Sequence, residues 1–326
     1  MNTLKQKILD RIQPDLAIIE EELIRNLQPH VPLVSHVAKY IMLSGGKRIR
    51  PVLMVLSARI CGYKGGYDKT LSVVFEYLHA ATLLHDDLVD GAEVRRGKPV
   101  AYSIWGNPGT VLVGDYLLAR AISIAAKTEQ ITIIDTIASV TGEMSEGEIH
   151  QLLHRGNLDL NEVEYMEVIR RKTACLIQGA CRVGALLAGA PEDRVHALTR
   201  YGHDLGCAFQ LVDDLLDYTA DDKTLGKATG TDLKEGKMTL PLIYTMAQAS
   251  DDNRHRLATI IRDGARNPED FATVLDLVRK YGGITYTEHR AGEHVGSAKK
   301  SLSIFESSET RSILEDLADY VLKRQI

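Results

Sequence analysis

An all-α fold, a single large bundle of long antiparallel helices, is predicted by three features of this 326-residue chain. Apolar residues recur at helical spacing along nearly the whole length, which gathers them on one face of each helix. Apolar runs such as Val73 to Leu84 lack Gly and Pro, and alternating β-branched runs are essentially absent. The connections are short and none has the composition of a linker, so residues 1–326 read as one domain.

The elements follow in order. Thr3 to Leu27 is an amphipathic opener, and Pro32 to Leu43 a second helix closed by Ser44-Gly45-Gly46. The pattern restarts over 48–61, where Pro51 falls in a first turn that tolerates it. Asp68 to Asp90 is a long helix with an acidic end. A polar, Gly-rich connection from Gly91 to Gly109 leads to helices at 110–127 and 130–153. Asn161 opens a run to Leu187, and Pro191-Glu192-Asp193 starts a helix that ends near Tyr218. A charged loop, Asp221 to Lys237, precedes helices over 240–263, 267–280, 282–304 and 310–323.

Composition narrows the function. With 44% hydrophobic and 25% charged residues the chain has the make-up of a soluble globular protein. A net charge of -5 without a basic stripe argues against a nucleic-acid partner. Cys61, Cys175, Cys181 and Cys207 form no Cys-x-x-Cys pair and sit in apolar helical surroundings, as buried thiols do. The first residues lack a signal-peptide apolar region. The most apolar long window, Val111 to Ala126, carries Asp115 and Arg120 and is not read as a membrane span. A reducing cytoplasm is the expected location.

Two stretches carry the chemistry. Leu84-His85-Asp86-Asp87-Leu88-Val89-Asp90 ends one apolar helix, and Leu211-Val212-Asp213-Asp214-Leu215-Leu216-Asp217 repeats the pattern at the end of another. Helical spacing is expected to project each aspartate trio together. Carboxylates about 4 Å apart repel by roughly 4 kcal/mol at an effective dielectric near 20, so such trios need water or cations. Two facing helices that share divalent metal ions are the economical reading. Basic groups bracket both: Gly45-Gly46-Lys47-Arg48-Ile49-Arg50-Pro51 opens a helix, where N–H groups and cations suit an anion. Arg95-Arg96-Gly97 follows the first trio, and Arg170-Arg171-Lys172-Thr173 lies within a helix, its arginines expected in solvent. Lys223, Gly226-Lys227 and Glu235-Gly236-Lys237 follow the second trio. Aspartates that hold Mg²⁺ among Lys and Arg describe a polyphosphate site. No Walker-type loop is present, so nucleotide phosphoryl transfer is not indicated. An apolar bundle around such a site suggests a greasy substrate with a diphosphate head.

Gly45 to Pro51, Leu84 to Asp90 with Arg95-Arg96-Gly97, Lys172-Thr173-Ala174, Phe209 to Asp217 and Gly226-Lys227 together resemble the trans-polyprenyl diphosphate synthases, above all their long-chain, octaprenyl-type branch. The resemblance implies an isoprenoid synthase fold with a deep central cavity, usually a homodimer. It implies condensation of an allylic diphosphate, such as farnesyl diphosphate, with isopentenyl diphosphate. By the same resemblance Asp86, Asp87, Asp90, Asp213, Asp214 and Asp217 hold Mg²⁺, three ions with bound diphosphate. Arg95, Lys172 and Lys227 grip the allylic diphosphate, with Lys237 nearby. Lys47, Arg50, His79 and Arg96 bind isopentenyl diphosphate, and Thr173 and Gln210 line the reacting carbons. Ala81 and Thr82, five and four residues before Asp86, are small where bulky aromatics stop elongation in the family; both favour a hexaprenyl to decaprenyl product. Tyr77 and Phe75 are candidates for a tunnel floor or for helix packing. A quinone side chain is the destination by analogy, with peripheral membrane contact for product release. A terpene cyclase, an all-helical His/Asp phosphohydrolase and a non-catalytic synthase subunit are the alternatives; two intact trios and the Gly-Gly-Lys-Arg motif weigh against each.

Overall fold

The apolar stretches fold as helices close to where their periodicity places them. The computed structural model describes residues 3–219, 230–264 and 268–324. It opens with α1 (Thr3–Arg25), α2 (Pro32–Leu43), α3 (Ile49–Ile60) and α4 (Asp68–Val89). α5 (Ala101–Ala126), α6 (Ile131–Leu153), α7 (Glu162–Ile169), a π-helical turn (Arg170–Ala174) and α8 (Cys175–Leu187) follow. Next come α9 (Glu192–Thr219), the single turn α10 (Thr231–Lys234), α11 (Leu240–Gln248) and α12 (Asp251–Arg262). α13 (Pro268–Lys280), α14 (Gly283–Ser301), a 3₁₀ turn (Leu302–Ile304) and α15 (Glu309–Lys323) complete the series. Strands among the described residues are confined to a hairpin of β1 (Val94–Arg95) and β2 (Lys98–Pro99). The fold class is all-α.

Three boundaries differ from the sequence expectation, each for a local reason. The connection after Gly91 stops short of Gly109, because α5 begins at Ala101 and is kinked rather than ended by Gly106 (φ 77°, ψ 161°) with Pro108 behind it. The run from Asn161 to Leu187 is broken by the π turn. The stretch 240–263 is two helices, parted by extended backbone at Ala249 and Ser250. There Ser250-Asp251-Asp252 is a helix-start signal that apolar periodicity passes over.

The chain divides into two compact units. The first comprises Met1–Thr141, Leu176–Gly202 and Ser301–Leu317. Its core is α4, on which α1, α3 and α5 pack; Leu71, Val73, Val74, Phe75, Tyr77 and Leu78 are all 0% exposed. The Tyr77 hydroxyl donates to the Leu23 carbonyl at 2.7 Å, and Phe75 lies in the same packed interior as Gly179 and Val140. Both aromatics are packed in the helix interior. α5 is long and apolar enough to cross a membrane by length and composition alone. Its inner side packs on α4, its Arg120 donates to the Asn26 carbonyl, and Val111, Leu112 (66% exposed) and Ile122 stand on its outer side.

The second unit comprises Gly142–Cys175, His203–Lys300 and Ala318–Ile326. Buried Asp204 ties α9 to α14, accepting from His294 Nδ1 (3.1 Å) and Ser297 Oγ (2.6 Å) as well as from neighbouring His203 Nδ1 (3.1 Å). Bonds to Asp204 and Cys207 raise the His203 imidazole to about 10. The cysteines are free thiols; Cys175, Cys181 and Cys207 are buried, as expected, and Cys61 is half-buried.

Candidate active site

In the first unit the acidic end of α4 meets a cluster of cations. Asp86 and Asp90 share a helix face and are half-buried, while Asp87, 1% exposed, turns into the protein. The expected projection of all three carboxylates together does not hold, because Asp87 sits about 100° round the helix from Asp86. Arg95 Nε (2.8 Å) and Nη2 (2.7 Å) both donate to Asp87 Oδ1, and Asp87 Oδ2 is buried without a hydrogen-bond partner. The carboxylates stand at the negative end of the helix dipole, where anions are disfavoured. His85 braces this end, with Nε2 3.2 Å from the Val111 carbonyl. Its ring fills a notch on α5 that only Gly114 leaves open, since a Cβ there would lie 2.2 Å from it.

The β1–β2 hairpin aims the arginines. Its two-residue loop is Arg96-Gly97, both with positive φ (53° and 74°), the signs that a type I′ turn requires. Arg96 reaches over the Gly45-Gly46 turn, within 3.8 Å of where a Gly45 Cβ would stand. Beneath it His79 is held neutral, well below the usual histidine range, by burial and by Arg50, Arg96, Arg95 and Arg48. Arg50 is half-buried and Lys47 exposed. Arg48, in the same motif, is not part of an anion site. It takes a left-handed conformation (φ 47°), is 5% exposed, and binds Glu20 (2.6 Å), Glu76 (2.7 Å) and the Met42 carbonyl (2.7 Å). The structure thus gathers Arg50, His79, Arg95 and Arg96 beside the first trio's helix.

The second unit holds the other trio. Asp213 keeps 42% of its side chain exposed and meets Arg324 Nη2 at 3.4 Å; that guanidinium lies 4.3 Å above the Phe209 ring. Asp214 is buried, with Tyr165 donating to Oδ2 (2.5 Å) and Gln210 Nε2 to Oδ1 (2.7 Å). Desolvation, with Asp232 close by, pushes its carboxyl up to about 8. Asp217 is fully buried and accepts the backbone N–H groups of Thr231 (3.2 Å) and Asp232 (3.0 Å), so it anchors α10.

Lys172 and Thr173 occupy the π turn, a device frequent at functional sites. The turn has glycines on two sides. A Cβ at Gly147 on α6 would stand 2.6 Å from the Lys172 nitrogen, and one at Gly206 on α9 2.6 Å from Ala174 Cα. Thr173 Oγ1 donates to Gln210 Oε1 at 2.8 Å, and Lys172 pairs with Glu148. Arg170 and Arg171 are not simply solvated: both bind Glu167, and they reach Glu143 and Glu146 respectively. Lys237 pairs with Glu235 at 2.5 Å. Lys227 lies outside the described residues. Sequence reasoning missed Tyr165 and Arg324. Tyr165 falls seven residues before Lys172, two helical turns, a spacing that points to it; nothing in the sequence links Arg324 to Asp213.

Among the described residues no three Asp, Glu, His or Cys side chains converge as a ready-made chelate. The donor set still fits Mg²⁺, a hard cation that takes one or two carboxylates and completes its shell with phosphate oxygens and water. The orphaned Asp87 oxygen and the raised Asp214 carboxyl are likewise what a nearby cation would relieve.

The family model described as polyprenyl synthetase matches residues 31–278. The octaprenyl diphosphate synthase of Haemophilus influenzae is 38% identical over 313 residues, covering 96% of this chain and 94% of that one. A decaprenyl diphosphate synthase of Rhodobacter capsulatus superposes with a TM-score of 0.93 at 38% identity, covering 98% of this chain and 99% of that one. A polyprenyl synthase of Caulobacter crescentus, solved with calcium and isoprenyl diphosphate, also gives 0.93, at 35% identity and 98% of both chains. The all-helical fold and these likenesses define a prenyl-transferring enzyme. The chain belongs to the trans-polyprenyl diphosphate synthase family.

Proposed function

We propose that the enzyme elongates an allylic diphosphate, farnesyl diphosphate first, by successive Mg²⁺-dependent head-to-tail condensations with isopentenyl diphosphate. The product is a hexaprenyl to decaprenyl diphosphate. The observation that carries this reading is the charge arrangement at the end of α4. Carboxylates stand at the negative pole of a helix, beside Arg50, Arg95 and Arg96 around a neutral His79. Such a site favours being filled by cations and anions together.

In this reading residues 1–326 are one catalytic domain, and both trios serve the allylic diphosphate. Asp86, Asp90 and Asp213, which retain exposed surface, would hold the Mg²⁺ ions, three of them in the family's manner. Ions held there would supply the positive charge that neutralises a departing diphosphate. Asp87, Asp214 and Asp217, buried and bound by Arg95, by Tyr165 with Gln210 and by backbone N–H groups, keep that constellation in shape. Lys172, Lys227 and Lys237, with Arg95, grip the allylic head. Lys47, Arg50, Arg96 and His79 seat isopentenyl diphosphate. Thr173 spends its proton on Gln210, so its oxygen lone pairs remain for the allylic cation. An apolar lining excludes the water that would quench it. The released diphosphate accepts the proton lost from the new chain.

Ala81 and Thr82 leave room for a growing chain along α4, and the packed Tyr77 marks where that room ends. A second copy covers the outer stripe of α5, where Val111, Leu112 and Ile122 are exposed, to give a homodimer working in the cytoplasm. The product passes to the membrane as a quinone side chain.

Incubation of the purified enzyme with farnesyl diphosphate and labelled isopentenyl diphosphate, with Mg²⁺ or with chelator, tests the reading. A metal-dependent long polyprenyl product is expected on chromatographic sizing. Failure to incorporate isopentenyl diphosphate, or turnover of farnesyl diphosphate alone to a hydrocarbon, would overturn it.

A further inference from the structure

We infer that Tyr165 is a positioning residue of the condensation site: through Asp214 it fixes the orientation of the Gln210 amide, and through that amide the Thr173 hydroxyl. The inference rests on the function proposed above and adds to it a residue that touches neither substrate nor reacting carbon.

The chain of bonds has one direction. Tyr165, 3% exposed on α7, donates to Asp214 Oδ2; Gln210 Nε2 donates to Asp214 Oδ1; Thr173 Oγ1 donates to Gln210 Oε1. Every proton runs toward the one carboxylate. An amide such as Gln210 can in principle present either end to a neighbour. Here it presents its NH₂ to Asp214 Oδ1, so the carbonyl is left for Thr173. The Thr173 proton is thereby committed, and the hydroxyl lone pairs are what remains for a cation.

Gln210 alone does not hold the carboxylate still. The terminal torsion of an aspartate is soft and roughly two-fold, so a carboxylate held at one oxygen can swing or exchange its oxygens. Tyr165 pins the second oxygen. A phenylalanine there keeps the packing but leaves a buried carboxylate oxygen without a donor, and such a group recruits one at a cost. Gln210 is the donor already in contact, and turning it to serve Oδ2 pulls its carbonyl from Thr173.

The test is Tyr165→Phe in the full-length enzyme, assayed with farnesyl and isopentenyl diphosphates. Loss of an outer-shell partner lowers activity by about 10–100-fold, and here the loss is expected in kcat with both KM values unchanged. The double variant Y165F/Q210A is expected to be no slower than Q210A, because Tyr165 acts through Gln210. A second readout needs no turnover: in ligand-free protein with ¹⁵N-labelled glutamine, the Gln210 NH₂ signals, identified by their loss in Q210A, are expected to move in Y165F. Should Y165F fail to fold, Thr173→Val keeps the question open to measurement. The Gln210 signals then stay near their wild-type positions if Tyr165 sets the amide, and move if Thr173 does. Wild-type kcat in Y165F, multiplying losses in the double variant, a rise in KM alone, or Gln210 signals that follow Thr173 would each overturn the inference. A wild-type enzyme without condensation activity counts against the proposed function instead, and the Gln210 signals still decide the geometry.

Discussion

Each aspartate trio contains side chains with different work to do. Asp87, Asp214 and Asp217 are buried and bound by Arg95, by Tyr165 with Gln210, and by two backbone N–H groups, whereas Asp86, Asp90 and Asp213 keep exposed surface. The motif itself was plain in the sequence; this sorting was not, because the partners come from segments up to 49 residues away in the chain. Arg48 shows the same limit: a third cation in a basic motif is spent on Glu20 and Glu76. Under the proposed function, product length also turns on single residues. Ala81 is fully buried on α4 above Tyr77, so Ala81→Phe is expected to shift the product several isoprene units shorter. Chromatography of the chains made by wild type and variant checks this, and an unchanged length would remove Ala81 from the tunnel.

At the scale of elements, the π turn is the feature on which most of the second unit's chemistry depends. It was not legible, because it adds one residue to a helical turn without any Gly, Pro or change of polarity to mark it. The signal lay instead in its neighbours, Gly147 and Gly206, whose missing side chains let two helices approach Lys172 and Ala174. Gly147→Ala places a methyl 2.6 Å from the Lys172 nitrogen, which a backbone atom cannot evade. Overpacking of this kind costs about 1–3 kcal/mol. The variant is expected to melt several degrees lower and to lose most of its condensation rate. Circular dichroism and product assay on the same sample check both. Helix positions, by contrast, were legible to within a few residues almost throughout, since 3.6-residue periodicity is a property of the whole segment. The kink at Gly106 and the break at Ala249-Ser250 escaped because Gly-Pro can bend a helix without ending it, and a polar step can end one amid apolar spacing.

Two predictions concern the whole molecule. Asp204, with His203 beside it on α9 and His294 and Ser297 on α14, joins two helices, and its linkage has a definite sign. His203 is raised from an ordinary value near 6.5 to about 10, so its contribution is fully present below pH 6.5 and is lost as pH rises through about 10. Asp204 is held below the ordinary carboxylate range despite its burial, by bonds from His203, His294 and Ser297. Its contribution is present above pH 4 and falls away in stronger acid, as expected of a carboxylate with an ordinary value of about 3.9. Asp204→Ala leaves these donors unsatisfied and is expected to cost about 1–3 kcal/mol at pH 7. The deficit should narrow toward pH 10, as urea denaturation at several pH values would show. The second prediction concerns α5. Replacing exposed Leu112 with Lys sets a charge in the stripe assigned to the second copy, so the variant is expected to sediment as a monomer while its helix content stays unchanged.

The acidic tip of α4 carries a wider consequence. A helix that keeps like charges at its unfavourable pole holds its empty form at a disadvantage relative to its loaded one. Part of what drives loading is therefore already stored in the folded chain before any ligand arrives. Selection for heat resistance without substrate would erode Asp86 and Asp90 early, and a lineage that lost its catalysis would shed those two charges as dead weight.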